Sequence, residues 1–251
     1  MFSLNRTKAI VLCGGKGTRL RPLTHYIQKT MVPVGVKQKP LLEYVVRLLK
    51  YHGIKDMVFL VNYKAEQIRN YFEDGSRFGV KITYVQDDPK SRGTGGAVLT
   101  AYNNGAVNTN ETLLVYYGDI ITDMNLTELL QHHREKKALT TIALASSFKV
   151  RVGVANIDDN GKILGFQEKP TLEKPVSIGI SVLDGKLLED MQKLKGEKEE
   201  LDFMGEVMPY LLAGNKPVYG YLSKAFWYDV LSTEAYEKLD PQLVDYMFKD
   251  M

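Results

Sequence analysis

The sequence predicts an α/β fold around a mostly parallel sheet, and three observations carry the prediction. Short apolar runs at residues 9–13, 57–61, 81–85 and 112–117 alternate with helical patterns at 39–52, 65–72 and 97–102, the order that builds parallel βαβ units. Two glycine-rich turns, Gly14-Gly15-Lys16-Gly17 and Gly93-Thr94-Gly95-Gly96, each follow the end of a strand, where α/β sheets bind their ligands. Past Leu139 the pattern changes to strands with short turns, at 141–145, 152–157, 163–167 and 176–182, so the second half adds mixed or antiparallel strands.

Bulk properties narrow the classes of function. A chain of 251 residues can bury one large core, and we expect one domain over residues 1–251. The 33 basic and 30 acidic residues leave a formal charge of +3. That balance suits neither a nucleic-acid wrap nor a membrane-surface patch, so small anionic ligands are the expected partners. Cys13 is the only cysteine, which excludes a disulfide framework and a cysteine-rich zinc site and leads us to expect a cytoplasmic protein. No stretch approaches the ~20 apolar residues of a membrane span, and residues 1–8 contain no signal-peptide core.

Taken in order, the first run, 9–13, is short and β-branched, as a buried parallel strand is. The turn after it removes three Cβ atoms within four residues, at Gly14, Gly15 and Gly17, so its backbone N–H groups can come up against an anion. Lys16, Arg19 and Arg21 add positive charge, and Arg19 can fork two donors onto phosphate oxygens. The dinucleotide fingerprint fails because Leu20 stands where glycine or alanine is required, and the Walker pattern fails because no Lys-Ser/Thr pair closes the loop. Lys29 follows at the foot of the loop. A helix over 39–52 is opened by Pro40, carries Leu41, Leu42, Val45, Val46, Leu48 and Leu49 on one stripe, and ends at Gly53.

The third strand leads into Gln86, which can read a base edge, and then into the second glycine turn. The fourth stops at Gly118-Asp119, a carboxylate at the ligand edge of the sheet that could hold Mg²⁺ against phosphates on the first loop. Asp123 is a second candidate. A helix over 126–137 carries His132 and His133, both expected in solvent. In the second half, Asp158-Asp159-Asn160-Gly161 predicts a hairpin turn. Gly153, Glu168, Lys169 and Gly179 stand at strand ends, where Glu168 can accept hydroxyl hydrogen bonds and Lys169 can meet a phosphate. Helices at 185–195 and 203–212 and strands at 216–221 and 226–230 complete the order. Asp229 lies in an aromatic run, and a metal shared with Asp119 would offset the cost of burying it.

With Gly14 to Thr24 (GGKGTRLRPLT), Lys29 before Met31-Val32-Pro33-Val34, Lys39-Pro40-Leu41, Arg92-Gly93-Thr94-Gly95-Gly96-Ala97, Gly118-Asp119, Glu168-Lys169-Pro170 and Trp227-Tyr228-Asp229 in this order, the chain resembles the sugar-1-phosphate nucleotidyltransferases over nearly its whole length. It looks most like the short forms that act as glucose-1-phosphate thymidylyltransferases or mannose-1-phosphate guanylyltransferases. The resemblance implies a Rossmann-like fold with a mixed, mostly parallel sheet, its N-terminal half binding nucleotide and its C-terminal half sugar phosphate. It implies that a sugar 1-phosphate attacks the α-phosphorus of a nucleoside triphosphate and expels pyrophosphate. Arg19 and Lys29 are then the catalytic residues. Arg19 would neutralise the triphosphate, and Lys29 would sit at the α-phosphate or sugar phosphate. Leu12, Gly14, Gly15, Gly17, Thr18 and Gly118 would border the substrates, with Gln86, Gly93 and Thr94 at the base. Gly153, Glu168, Lys169 and Gly179 would hold the sugar phosphate, and Asp119 and Asp229 a Mg²⁺ ion.

Three departures from the family pattern stand out: Cys13 for alanine, Ser177-Ile178-Gly179 for Asn-Ala-Gly, and Leu231 for a glycine. No hexapeptide repeat is present, which argues against an appended acyltransferase. Two other classes compete: a non-catalytic sensing or assembly subunit on the same fold, disfavoured by Arg19, Lys29, Asp119 and Asp229, and a glycosyltransferase, disfavoured because Gly118-Asp119-Ile120 lacks a second aspartate. Base and sugar depend on pocket shape, and an exposed aromatic surface would mark a homo-oligomer.

Overall fold

In the computed structural model, which describes residues 6–150 and 152–251, the parallel strands pack as near-continuous apolar runs because both of their faces are covered. Met1 to Asn5 and Arg151 lie outside the described residues. The first half runs β1 (Thr7–Leu12), β2 (Pro33–Val34), β3 (Lys39–Pro40), α1 (Leu41–Tyr51), β4 (Asp56–Val61), α2 (Ala65–Phe72), β5 (Lys81–Gln86), α3 (Gly93–Asn103) and β6 (Thr112–Tyr117). Next come β7 (Ile120–Thr122), α4 (Leu126–Glu135), β8 (Thr140–Ala145), β9 (Phe148–Lys149), β10 (Val154–Ile157), β11 (Ile163–Gln167) and β12 (Thr171–Leu172). The chain closes with β13 (Val176–Asp184), α5 (Leu187–Lys195), α6 (Met208–Ala213), β14 (Val218–Ser223), β15 (Trp227–Asp229), α7 (Thr233–Lys238) and α8 (Pro241–Met247).

Seven strands form one sheet in the order β14-β8-β13-β6-β1-β4-β5. Its pairings are parallel except on the two sides of β13, so the sheet is mixed and mostly parallel, as predicted. On one face Phe59 and Val11 pack with α1, α2, α4 and α8; on the other Ile10 and Leu60 pack with α3, α5 and α6. From β1 the chain steps outward to β4 and β5, then returns to lay β6 on the other side of β1. The crevice beyond the carboxyl ends of β1 and β6 is therefore the switch point at which open α/β sheets hold ligands.

Several predicted elements are corrected. Pro40 does not sit in the first helical turn: it pairs with Pro33 in β3, and α1 begins at Leu41. The second glycine turn is itself helical, because α3 starts at Gly93 rather than Ala97. The helix predicted over 203–212 opens with a π-helical turn, Phe203–Val207. His133 is not in solvent. It lies only 4% exposed, in the same apolar stripe as Leu126, Leu129 and Leu130, a helical spacing visible in the sequence. Its Nδ1 is 3.0 Å from Thr141 Oγ1, and burial pulls its pKa down to about 4.

Candidate active site

β1 and β6 end side by side: Leu12 faces Tyr117 in register, and Gly118 N donates to Leu12 O at 3.1 Å. Beyond that bond the two chains part, one into the glycine loop and the other into Asp119. Gly17 has φ +59°, and a Cβ there would stand 2.9 Å from both Lys29 Cβ and Thr24 Cγ2. Glycine therefore lets the stem of Lys29 lie directly beneath the loop. Thr24 Oγ1 donates to Gly17 O at 2.8 Å and holds the turn closed.

A residue that sequence reasoning missed aims Lys29. Gln28 is 0% exposed. Its Nε2 donates to Cys13 O at 2.5 Å, while its Oε1 accepts from Thr30 N at 2.5 Å and Thr30 Oγ1 at 2.7 Å. One side chain thus ties the start of the glycine loop to the 3-10 turn Lys29–Met31. Lys29 Nζ forms an ion pair with the Asp119 carboxylate. No periodicity marks Gln28, because its partners are backbone groups supplied by the fold. Leu12, Gly15, Gly17, Thr18, Arg19, Lys29 and Asp119 line one cavity of about 250 Å³, with Arg19 exposed at its edge. Beneath it Cys13 is buried, and its thiol pKa is pushed well up by desolvation and by the charges of Asp87 and Asp119.

Asp229 comes to this site through β15, which pairs with β7 so that Asp229 lies opposite Ile120 and Val230 N donates to Asp119 O at 3.2 Å. Two carboxylate residues 110 positions apart therefore come together, Asp119 in the turn before β7 and Asp229 on β15. Asp229 and Gly179 line an adjoining cavity of about 390 Å³ with Tyr117, Ile178, Met204 and Trp227. Gly179 has φ +75°, which brings its backbone against the Tyr117 ring. A larger cavity, about 700 Å³, contains Lys169 and shares Phe148, Trp227 and Asp229 with the second. Phe148 and Trp227 stack there at 6.3 Å between centroids.

The other predicted residues are placed as follows. Gly153 and Glu168 meet in the β10–β11 hairpin, where a Gly153 Cβ would stand 2.3 Å from the Phe166 ring and 3.0 Å from Glu168 Oε2. Glu168 and Lys169 form an exposed ion pair at 3.5 Å. Gly14 lies against Asp87 and Asn62. Gln86 is exposed at the end of the edge strand β5. Gly93, with φ +79°, lets α3 approach the Leu201 carbonyl, which would be 2.5 Å from a Cβ. The Thr94 hydroxyl donates to Asp202 Oδ2 at 3.0 Å and accepts from Phe203 N at 2.9 Å. Asp123 Oδ1 accepts from Phe226 N at 2.9 Å, which anchors the approach to β15.

The donor set suits a magnesium ion. Asp119 and Asp229 offer hard carboxylate oxygens, one from the turn before β7 and one from β15, which pairs with β7. Among the described residues no group of three or more His, Cys, Asp or Glu side chains gathers as a metal cage. Magnesium typically takes one or two carboxylates and completes its shell with phosphate oxygens and water.

The family model described as "Nucleotidyl transferase" matches residues 8–245. The chain is 36% identical over 242 residues, 89% of its length, to the UTP–glucose-1-phosphate uridylyltransferase of Synechocystis sp., of which it covers 60%. It is 31% identical, over 97% of its length, to the mannose-1-phosphate guanylyltransferase of Mycobacterium tuberculosis, covering 66% of that protein. It is also 36% identical, over 64% of its length, to the D-glycero-alpha-D-manno-heptose 1-phosphate guanylyltransferase of Campylobacter jejuni, covering 68% of it. The chain thus spans about 60–66% of the first two relatives. Among solved structures, a Bacillus anthracis protein crystallised with sucrose superposes with a TM-score of 0.74 at 24% identity, covering 98% of this chain and 96% of that one. HddC from Yersinia pseudotuberculosis gives 0.69 at 22%, covering 92% and 96%. At these identities the two structures establish the shared fold.

Proposed function

This chain belongs to the nucleotidyl transferase family, and we propose that it transfers a nucleoside monophosphate from a nucleoside triphosphate to a sugar 1-phosphate, giving a nucleoside diphosphate sugar and pyrophosphate. The observation that carries the proposal is the Lys29–Asp119 ion pair under a glycine loop at the switch point of the sheet, with Arg19 at the rim. A phosphate oxygen of the sugar 1-phosphate attacks the α-phosphorus; the new P–O bond forms as the bond to the β-phosphate oxygen breaks, and pyrophosphate leaves with the electron pair. No covalent enzyme intermediate or general base is needed, because the attacking phosphate oxygen is already ionised at neutral pH, pyrophosphate leaves as an anion that requires no proton, and the barrier lies in bringing anions together.

Each residue's task follows from that requirement. Arg19 neutralises the triphosphate and the departing pyrophosphate with a forked donor pair, and Lys29 meets the α-phosphate or sugar phosphate from below. Leu12, Gly14, Gly15, Gly17, Thr18 and Gly118 border the nucleotide, and Gln86, Gly93 and Thr94 serve the base side. Gly153, Glu168, Lys169 and Gly179 hold the sugar phosphate beside the Phe148–Trp227 platform. Asp119 and Asp229 would hold a Mg²⁺ ion, whose contribution is to offset phosphate charge. One domain over 1–251 would perform the reaction in the cytoplasm, without nucleic acid, alone or as a homo-oligomer. Among the described residues no helix is long and apolar enough to cross a membrane.

Pyrophosphate release from five nucleoside triphosphates against several sugar 1-phosphates tests the reaction, and silence across the whole matrix would sink it. For Asp119→Asn with Mg²⁺ present we expect turnover to fall by roughly 10²-fold or more; near-normal turnover would remove Asp119 from the metal site.

A further inference from the structure

Thr94 stands beside Gly93 on the proposed base side, yet its hydroxyl is committed inside the protein. It donates to Asp202 Oδ2 at 3.0 Å and accepts from Phe203 N at 2.9 Å. The other carboxylate oxygen of Asp202 accepts from Gly205 N at 2.7 Å. Among the described residues, backbone bonds join the start of α3 to this segment only as far as Leu201, whose N–H donates to Arg92 O at 3.0 Å and whose carbonyl accepts from Gly96 N at 2.9 Å. Just beyond, the chain enters the π-helical turn Phe203–Val207, in which Val207 N reaches back to Asp202 O at 3.2 Å. The side chains of Thr94 and Asp202 therefore fix how that turn sits against α3. Such wide turns hold one residue more than an α-helical turn and recur at functional sites.

What the turn carries is Met204. Met204 lines the cavity of about 390 Å³ together with Tyr117, Gly179, Trp227 and Asp229. A smaller cavity, to which Thr94 contributes, shares Tyr117, Gly179 and Met204 with it. The cavity under the glycine loop is lined by none of Thr94, Asp202 and Met204. An unbranched thioether fills whatever space its backbone leaves it, so the seat of the turn decides where Met204 closes the wall. We infer that the Thr94–Asp202 hydrogen bond is a pin that seats Met204 against the sugar-side cavity, and that Asp202 and the Thr94 hydroxyl are positioning groups for the sugar 1-phosphate rather than readers of the base. This rests on the transferase reading above and adds to it the residues that shape the sugar's wall. The pin acts through packing that ground state and transition state share, so it sets affinity and leaves the chemical step alone.

The test uses the whole chain with the nucleoside triphosphate and sugar 1-phosphate that together release most pyrophosphate. Thr94→Val keeps the shape of the side chain but frees Asp202 and leaves Phe203 N–H without its acceptor. It should raise KM for the sugar 1-phosphate roughly 10-fold, with kcat and KM for the triphosphate within about twofold of the unmodified chain. Thr94→Ser, which keeps the hydroxyl, should recover most of that loss, and Asp202→Asn should shift the same KM in the same direction as Thr94→Val. In protein carrying ¹³C-methyl methionine, the Met204 resonance, assigned by its loss in Met204→Leu, should move in Thr94→Val and return in Thr94→Ser. A rise in KM for the triphosphate alone overturns the inference by giving the hydroxyl to the nucleotide. Both KM values unchanged, or both raised equally along with a lowered melting temperature, also overturn it. If the unmodified chain releases no pyrophosphate from any pair, the transferase reading fails instead, and the Met204 resonance still decides the pin: a position unchanged in Thr94→Val overturns it. Should either Thr94→Val or Asp202→Asn not fold, the other decides; failure of both to fold shows a structural role only and overturns the inference.

Discussion

The two walls of the cleft are built in opposite ways. On the side proposed to bind nucleotide, β1, β4 and β6 bury almost every side chain, and Gln28 and Asp119 fix Lys29 before any ligand arrives. On the side proposed to bind the sugar phosphate, β10 and β11 form a separate hairpin whose residues are all exposed, with Ile163, Leu164 and Phe166 each 61% open. The hairpin joins the rest at its foot, through the β9–β12 pair and Val150 N donating to Pro170 O at 2.8 Å. A two-stranded hairpin without a covering layer is marginal in water. The difference teaches that the proposed phosphate clamp is preorganised, as charge stabilisation demands, whereas the proposed sugar wall is adjustable.

Breaking that contrast at the level of stability should give the largest effect. Phe59 is 0% exposed and meets Phe72 and Tyr84 edge to face, so Phe59→Ala should cost about 3–5 kcal/mol in urea unfolding. Leu164→Ala on the hairpin should stay within about 0.5 kcal/mol. Equal costs would show that the hairpin is buried in solution. Kinetics sharpen the comparison next: Arg19→Ala should lower kcat by about 10²–10³-fold, while Lys169→Ala should raise KM for sugar 1-phosphate and leave kcat nearly intact. A normal kcat in Arg19→Ala would deny it a transition-state role.

The smallest effect is a pH dependence in the rigid half. His133 has its pKa lowered from 6.5 to about 4, so between those values the unfolded chain binds the extra proton. Its contribution is present above about pH 6.5 and is lost as pH falls toward 4, at most roughly 3 kcal/mol. Asp87, raised from 3.8 to about 6, works in the opposite sense as its carboxyl protonates below pH 6. Replacing His133 by Gln should therefore flatten the acid-side loss in the melting temperature between pH 6.5 and 4. A profile unchanged by the substitution would place His133 in solvent after all.

What the sequence alone determined is local. The bounds of α2, β6 and β11 coincide with the predicted 65–72, 112–117 and 163–167, because a run's hydrophobic period reports the face it will bury. The glycine loop with Arg19 and Lys29 was legible for the same reason: its residues act on one another within sixteen positions. Tertiary structure alone decided the pairing of Lys29 with Asp119 across 90 residues, the meeting of β15 with β7, and the antiparallel seat of β13. It also decided the burial of Gln28 and the Asp87 carboxylate oxygen. Periodicity says that a strand or stripe must be covered, but the order of strands in the sheet selects which distant side chain covers it, and the site lies where that order reverses.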